Sequence, residues 1–274
     1  MSEKDVVDQT SSPITVTSLV HDLRQLGLQP GDQILVHSSL SSMGWVCGGA
    51  QAVIQALLEV VGEEGTIIMP AQSTDWSDPA EWALPPVPKE WIDIIYREMP
   101  AFDPAITPTR CMGRIAELFR TYPRTIRSNH PQVSFCANGK HAAYLMAGHP
   151  LTPQFGSDSP LGKLYEINAK VLLLGVDYDS CTSFHLAETM LSHMPTKQMG
   201  TAMIENGERA WKWFTDYAYD SDDFIALGEQ YEAQHQVKQS KIGQAVSKVL
   251  ELQQAIPFAT DWLKQNRIYE QQLD

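Results

Sequence analysis

Two side chains with the spacing of a catalytic pair follow an apolar run that begins near residue 170. His185 and Glu188 lie in the segment TSFHLAE, directly after LLLGVDYDSC. If Thr182 opens a helix, residues three apart share one face, so the carboxylate can orient the imidazole and raise its basicity. This arrangement suits a general base. The same spacing also fits a salt bridge or two ligands of a metal ion, although the spacing does not supply a third ligand.

A second candidate site is the serine- and glycine-rich segment HSSLSSMGWVCGG, residues 37–49. It lies between a predicted strand and a predicted helix. Ligands of open α/β sheets collect at such positions, and the free N–H groups of a helix N-terminus attract phosphate. The sequence carries neither the GK[ST] of a P-loop nor GxGxxG, so no motif indicates a nucleoside triphosphate or a dinucleotide. His37 is placed to line the same cleft, and an ordinary turn is the alternative interpretation.

Three further patterns bear on chemistry. His130 precedes Pro131, which favours an extended backbone and suits a loop residue that lines a cleft. Cys181 stands four residues before His185, so an acyl-enzyme is an alternative if the thiol is exposed and its pKa is lowered. A serine hydrolase is not indicated, because the sequence contains no GxSxG.

Length, charge and composition limit the class of protein. The chain has 274 residues and a formal net charge of −13, which disfavours nucleic acid and anionic lipid as partners. It has no apolar run of the roughly 20 residues that a membrane helix needs, and its start is polar and acidic, so we expect a cytoplasmic protein. The four cysteines form no CxxC pair, which predicts reduced thiols rather than a zinc or disulfide framework.

Apolar periodicity and turn residues predict the elements that position these segments. The predicted helices cover residues 17–26, 50–61, 90–98, 182–191 and 258–264; the predicted strands cover 33–36, 66–69 and 170–174. Apolar runs at 133–137 and 245–252 are less specific. A hairpin is predicted from 201–204 and 210–214 around Asn206-Gly207, and Ser221 is expected to cap a helix with Asp222 and Asp223 in its first turn. The alternation of helices and strands predicts a mixed, largely parallel sheet covered by helices on both faces.

Residues 75–109 differ from the rest. The segment is rich in proline, contains Trp76, Trp82 and Trp91, and shows one helical pattern. It is predicted to be an irregular excursion from a single domain that spans residues 1–274. Its aromatic rings could wall a pocket for an acceptor, with structural packing as the alternative.

Several segments together resemble the aminoglycoside N3-acetyltransferase family, and its Bacillus-type branch in particular. The likeness extends from about residue 15 to about residue 262 and is carried by these segments in order: VHSSLSSMGWVCGGAQ, DPAEW, PPVPKEW, ITPTRCMGRIAELF, RSNHPQ, SPLGKLY and LLLGVDYDSCTSFHLAE. The resemblance implies an α/β/α sandwich rather than the GNAT fold. It also implies transfer of acetyl from acetyl-CoA to an amine, the 3-amino group of a 2-deoxystreptamine aminoglycoside, by direct attack.

The resemblance assigns roles to particular residues. The histidine of the family motif falls on His185, which it implies is the base, and the glutamate falls on Glu188. Expected contacts to coenzyme A are Ser38, Ser39, Leu40, Ser41, Thr107, Thr109 and Met112. Expected contacts to a polycationic acceptor are Asp75, Asp177, Asp179 and His130. No metal is expected, and the family precedent makes a homodimer reasonable. The alternative function is a CoA-binding protein of this fold that uses a different amine or has no transferase activity.

Overall fold

The computed structural model describes residues 3–267, and its main sheet is built around three parallel strands. The helices are α1 (Glu3–Gln9), α2 (Val16–Leu26), α3 (Gly49–Val61), α4 (Lys89–Glu98), α5 (Gly113–Arg120), α6 (Ala142–Met146), α7 (Pro160–Glu166), α8 (Phe184–Glu188), α9 (Phe224–Gln234) and α10 (Leu252–Asn266). The strands are β1 (Gln33–Ser38), β2 (Thr66–Pro70), β3 (Ile126–Arg127), β4 (Phe135–Gly139), β5 (Lys170–Leu174), β6 (Thr196–Glu205), β7 (Glu208–Tyr217), β8 (Lys238–Ile242) and β9 (Ala245–Glu251).

The seven-stranded sheet has the order β3-β4-β2-β1-β5-β9-β8. Strand β1 pairs in parallel with both β2 and β5. The pairings of β4 and β9 with their neighbours are antiparallel, so five of the seven strands run in one direction and these two run in the other. The prediction of a mixed sheet in an α/β fold is confirmed.

Helices cover both faces of this sheet because successive side chains of a strand point to opposite faces. Ile34 and Val36 of β1 pack in one core with α2, α3 and α5. Leu35, between them, packs in a second core with helices α6 to α10. The sheet is thus the middle layer of an α/β/α sandwich. No helix among residues 3–267 is long and apolar enough to cross a membrane.

The predicted helices and strands are confirmed, but three helices differ in their bounds or start, and several observed elements were not predicted. The helix predicted over 182–191 is the shorter α8, and the one predicted over 258–264 is the last part of α10, which continues through Pro257. Helix α9 begins after Asp223, so Asp223 rather than Ser221 occupies the N-cap position. Asp222 and Asp223 therefore precede the helix rather than occupy its first turn. The elements that were not predicted are α1, α5, α6, α7, β3 and β8. Strand β8, KQSKI, escapes prediction because its exposed edge position needs no apolar alternation.

The predicted hairpin is the separate two-stranded sheet of β6 and β7. Asn206 and Gly207 both have positive φ, as the tight turn between the strands requires. The proline-rich excursion, including α4, packs against this hairpin. The Tyr96 ring lies 4.7 Å from that of Trp211, and the Phe102 N–H donates to the carbonyl of Ala202. The excursion therefore supports the hairpin.

Gly228 of α9 offers a test of this packing. A Cβ added there would lie 2.0 Å from the ring of Tyr178, a fully buried side chain in the loop between β5 and α8. Replacing a helical glycine by alanine ordinarily stabilises a helix by about 0.5–1 kcal/mol. We expect Gly228→Ala instead to lower the free energy of unfolding by about 1–3 kcal/mol, because the core is overpacked.

Guanidinium chloride denaturation of Gly228→Ala would measure this change. Glu229→Ala, at the next and exposed position of the same helix, is the control and should leave the stability nearly unchanged. A gain in stability for Gly228→Ala would contradict the close packing of α9 on Tyr178.

Candidate active site

A cleft of about 820 Å³ lies at the carboxyl ends of the three central parallel strands. Loops after β1, β2 and β5 contribute to its wall, as do the start of α5 and the segment before α9. This is where ligands of open α/β sheets bind, and the volume is that of a small-molecule site. The lining includes His37, Ser38, Ser39, Leu40, Ser41, Gly49, Gln72, Met112, Gly113, Arg114, Asp179, Thr182, His185, Ser221 and Phe224.

His185 and Glu188 form a hydrogen-bonded pair at this cleft. Both belong to α8, three residues apart, and the Nδ1–H of His185 donates to Oε2 of Glu188. The Glu188 side chain has no solvent exposure, whereas that of His185 is 16% exposed and lines the cleft. Because an ionised carboxylate only accepts hydrogen bonds, the proton of the neutral imidazole stays on Nδ1 and Nε2 is left to accept one.

Three aromatic rings fix the plane of the imidazole. Phe155 stacks on His185 with centroids 4.9 Å apart, Phe224 lies 5.0 Å away, and Tyr219 meets it edge-on at 5.5 Å. The sequence does not predict a contact between these rings and His185. Phe155 lies in a loop and Tyr219 before α9, so no periodicity links them to His185. The rings restrict rotation of the imidazole, which keeps its free nitrogen in a fixed direction.

The loops after β1 and β5 are tied together beneath the cleft. The Ser39 N–H donates to the carbonyl of Leu174, and the Ser42 hydroxyl lies 2.8 Å from the carbonyl of Ser39 and 2.9 Å from that of Gly175. Gly175 turns the chain out of β5 with φ +69°, and a Cβ there would lie 2.1 Å from the Ser42 hydroxyl. The serine-rich loop and the histidine-bearing loop therefore share one support.

Two helix N-termini reach the cleft. Helix α3 begins at Gly49 and α5 at Gly113, both cleft residues, and the N-cap residues Gly48 and Met112 make no capping hydrogen bond through a side chain. Arg114, in the first turn of α5, also lines the cleft. Free N–H groups, the positive ends of two helix dipoles and a guanidinium together favour a phosphorylated ligand.

The residues expected to contact coenzyme A divide into two groups. Ser38, Ser39, Leu40, Ser41 and Met112 line the cleft. Thr107 and Thr109 lie outside it. Thr107 is buried, with its hydroxyl accepting from the N–H of Asp103, and the Thr109 hydroxyl donates to Glu117. Their side chains hold the turn that leads into α5, so the structure does not bring them to a ligand.

The residues expected to contact an acceptor also divide. Among the cleft-lining residues of the described chain, Asp179 alone is acidic. Asp177 accepts from the Tyr178 N–H and pairs with Lys248 at 3.0 Å, and Asp75 pairs with Arg110 at 3.4 Å; neither lines the cleft. Each of those two carboxylates already has a cationic partner.

The excursion over residues 75–109 lies away from the cleft. Of the residues between 3 and 267 that form the cleft wall, none belongs to it. Trp76 donates from its indole to the carbonyl of Pro100, Trp82 donates to Ser77, and Trp91 is exposed. These contacts fit structural packing rather than the pocket wall that the sequence suggested. The excursion lies instead against the β6–β7 hairpin.

His130 is fully buried away from the cleft. Its Nδ1 accepts from the N–H groups of Gln132 and Val133, and its ring lies 4.7 Å from that of His149. Burial holds the pKa of His130 well below its usual value. The structure therefore does not bring His130 to the cleft; its ring supports the loop before β4.

His37, at the end of β1, lies in the cleft wall close to His185. Its side chain is 6% exposed, and its Nε2 is buried without a hydrogen-bond partner among the described residues. Burial, and then the nearby His185, lower the pKa of His37 to about 3. The ring therefore stays neutral at physiological pH and adds no positive charge beside His185.

Cys181 does not form the thiol–imidazole pair of an acyl-enzyme. Its sulfur lies 3.2 Å from the hydroxyl of Ser183, while Nδ1 of His185 is bonded to Glu188. Burial raises the pKa of Cys181 to about 12, so the thiol is neither exposed nor ionised. The structure thus removes the conditions that this alternative required. Residues 3–267 also contain no cluster of three or more His, Cys, Asp or Glu side chains arranged to hold a metal ion.

Comparison with known proteins gives a consistent result. Residues 35–264 match the family model described as aminoglycoside 3-N-acetyltransferase. The chain is 49% identical over 264 residues to the SPbeta prophage-derived aminoglycoside N(3')-acetyltransferase-like protein YokD of Bacillus subtilis, covering 96% of this chain and 97% of that protein. It is 33% identical to aminoglycoside N(3)-acetyltransferase IX of Micromonospora chalcea over 280 residues, 96% of this chain and 98% of that protein.

Solved structures are similar throughout the fold. The crystal structure of YokD from Bacillus subtilis superposes with a TM-score of 0.95 at 48% identity, over 97% of this chain and all of that one. A structure of AAC-IIIb binary with CoASH gives 0.81 at 32% identity, covering 93% and 97%. A structure of AAC-VIa bound to sisomicin gives 0.84 at 28% identity, covering 94% and 100%.

The buried histidines predict how stability depends on pH. Burial lowers the pKa of His149 to about 4, and those of His37 and His130 are also lowered. In the unfolded chain each of these histidines takes up a proton below pH about 6.5, whereas the folded protein resists protonation. We therefore expect full stability above pH 6.5 and a loss of up to about 1.4 kcal/mol per pH unit for each histidine as the pH falls toward 4.

Denaturation curves collected between pH 7 and pH 4.5 would measure this slope. In His149→Asn the slope should decrease by about the share of one histidine. His193→Asn, which removes an exposed histidine, should leave the slope unchanged. An identical slope in the wild type and in His149→Asn would show that His149 is not buried in the neutral form.

Proposed function

Because this chain belongs to the aminoglycoside 3-N-acetyltransferase family and is an acetyl-CoA-dependent N-acetyltransferase, we propose that it acetylates the 3-amino group of a 2-deoxystreptamine aminoglycoside with His185 as general base. The observation that carries the proposal is the His185–Glu188 pair, which lies at a cleft with two helix N-termini. One part of this cleft suits an anionic donor, and the pair suits removal of a proton from an amine.

In the proposed reaction the neutral amine attacks the thioester carbonyl of acetyl-CoA. The new N–C bond forms as the C–S bond breaks, and the sulfur leaves as the thiolate of coenzyme A. His185 takes the amine proton on Nε2, and that proton then passes to the thiolate or to solvent. Glu188 stabilises the imidazolium through Nδ1, so no proton has to move to the buried carboxylate.

The donor is proposed to lie along the loop after β1. Ser38, Ser39 and Ser41 line the cleft there, with the N-terminus of α3 at Gly49 beyond them. The pyrophosphate would meet the free N–H groups of α3 or α5, and Arg114 would supply a positive charge. A structure of the related AAC-IIIb with CoASH supports a coenzyme A site in this fold.

The acceptor is proposed to bind on the side of the β5 loop. Asp179 is exposed and lines the cleft, so its carboxylate is available to an ammonium group of a polycationic sugar. A structure of the related AAC-VIa with sisomicin supports an aminoglycoside as the acceptor. The cytoplasmic location, the homodimer and the single domain over residues 1–274 stay predictions.

The cysteines provide a test of the donor site. Cys47 and Cys111 are exposed, and Cys111 lines the cleft whereas Cys47 does not. We expect iodoacetamide to modify both in the native protein, and acetyl-CoA to slow the modification of Cys111 selectively. Mass spectrometry of peptides over time would measure both rates, with Cys47 as the internal control. Equal rates at Cys111 with and without saturating acetyl-CoA would place the donor elsewhere.

The reaction itself is tested by thiol release from acetyl-CoA with sisomicin and gentamicin as acceptors. We expect turnover, acetylation at the 3-amino group by NMR of the product, and a loss of roughly 10²–10⁴-fold in kcat for His185→Asn. His193→Asn, an exposed histidine outside the cleft, should retain wild-type turnover.

The outcomes separate the two functions. Near-wild-type turnover in His185→Asn would overturn the role of the base. Binding of acetyl-CoA with no turnover on any amine of a wide panel would favour the alternative, a CoA-binding protein of this fold.

A further inference from the structure

Arg267, the residue that follows α10, contacts the buried side of the His185–Glu188 pair. The guanidinium of Arg267 donates to Oε1 of Glu188, to the carboxylate of Asp223 and to the carbonyl of Asp220. Its side chain is 9% exposed, although it lies just beyond the end of the helix. It is separated from Glu188 by 79 residues in sequence, so this contact depends entirely on the fold.

The two oxygens of Glu188 have different partners. Oε2 accepts from Nδ1 of His185, and Oε1 accepts from the N–H of Asp220 at 3.0 Å and from Arg267. A fully buried carboxylate stays ionised only if charged and polar donors replace the water that it has lost. Arg267 is the permanent cation among these donors, because His185 is charged only when it holds an extra proton.

Arg267 also contacts the aromatic wall of the imidazole. Its guanidinium carbon lies 5.8 Å from the ring centre of Phe224, and the same ring lies 5.0 Å from that of His185. One side chain therefore touches both the carboxylate that bonds the imidazole and a ring that packs on it.

We infer that Arg267 is a positioning residue for acetyl transfer, which holds Glu188 ionised and oriented so that His185 presents Nε2 to the cleft. The inference rests on the proposed role of His185 as base. Arg267 also places a fixed positive charge beside the pair, which opposes the uptake of a further proton by the pair as a whole. The titratable groups nearest the pair on the neighbouring elements are His37, Tyr219 and Arg267, with the carboxylate of Asp223 bonded to Arg267. Asp220 contacts Glu188 through its main-chain N–H.

Removal of the positive charge changes the proton affinity of the His185–Glu188 pair in a defined direction. Without it, a proton on the His185–Glu188 pair is easier to hold, whichever of the two groups carries it. In Arg267→Met we therefore expect the midpoint of the acid limb of kcat/KM, which reports the pair as a unit, to move to higher pH by about 0.5 unit or more. We also expect kcat at pH 7 to fall about tenfold or more with little change in the KM for acetyl-CoA.

Two variants test whether the positive charge at position 267 is what matters and whether the effect is specific to this ion pair. Arg267→Lys keeps the cation but loses the planar fork, so the midpoint should return close to that of the wild type while kcat recovers only in part. Lys170→Met removes a different, partly buried ion pair, which Lys170 forms with Asp32 at 2.7 Å. Lys170 is at the start of β5, at the end of the strand opposite the cleft. This variant should lower stability without moving the midpoint. If Arg267→Met does not fold, the lysine variant still reports kcat and midpoint.

A double-mutant cycle shows whether Arg267 acts through Glu188. In the Glu188→Gln background, Arg267→Met should cause little further loss of kcat, because the carboxylate it holds is absent. A multiplicative loss in the double variant would overturn the inference. So would a wild-type midpoint of the acid limb of kcat/KM together with a wild-type kcat in Arg267→Met, even if its melting temperature were lower.

His185→Asn separates this inference from the proposed function. Retained turnover in His185→Asn would refute the base, and the inference with it. Loss of turnover in His185→Asn together with normal kcat and a normal midpoint in Arg267→Met would refute only the role of Arg267.

Discussion

The burial of the Glu188 carboxylate is the constraint on which the arrangement of the cleft depends. Because this group has no solvent contact, every donor that it needs must come from the fold itself. His185 supplies one from the same helix, the main chain of Asp220 supplies another, and Arg267 supplies a third. Helices α8, α9 and α10 must therefore pack together if the carboxylate is to be both buried and ionised, and the structure packs α10 against both of the others.

The central sheet places a phosphate-binding environment and a basic nitrogen in the same cleft. Strands β1 and β5 are parallel neighbours, so the loops that follow them leave the same edge of the sheet. One loop leads to the N-terminus of α3, and the other leads to α8 and His185. A donor bound along the first loop and an acceptor bound along the second are thereby brought together by strand order.

The sequence predicts what depends on local spacing. Strand β5 is buried on both faces and is predicted at its observed bounds, and the three-residue separation of His185 and Glu188 places them together on any helix. Contacts between distant segments are not encoded locally. Phe155, Tyr219 and Arg267 reach the pair only through tertiary packing. Asp177 and Asp179 are two residues apart, yet a single turn directs the first to Lys248 and the second to the cleft. His130 shows the same limit, since a loop position before proline does not reveal that the ring is buried.

The turn at Gly175 restricts how this fold can diverge. An alanine there would have φ +69°, with its Cβ 2.1 Å from the Ser42 hydroxyl and 2.8 Å from the Cβ of Ala245. Changing Ser42 first would create part of the space, but it would remove the hydrogen bond to the carbonyl of Gly175 that joins the loops and the bond to Ser39 within the first loop. Substitutions at position 175 are therefore epistatic with those at positions 42 and 245: the change in stability caused by a side chain at 175 depends on the residues at the other two positions. Descendants of this sequence can vary the exposed parts of either loop one residue at a time, whereas the junction between the loops can change only through a less stable intermediate.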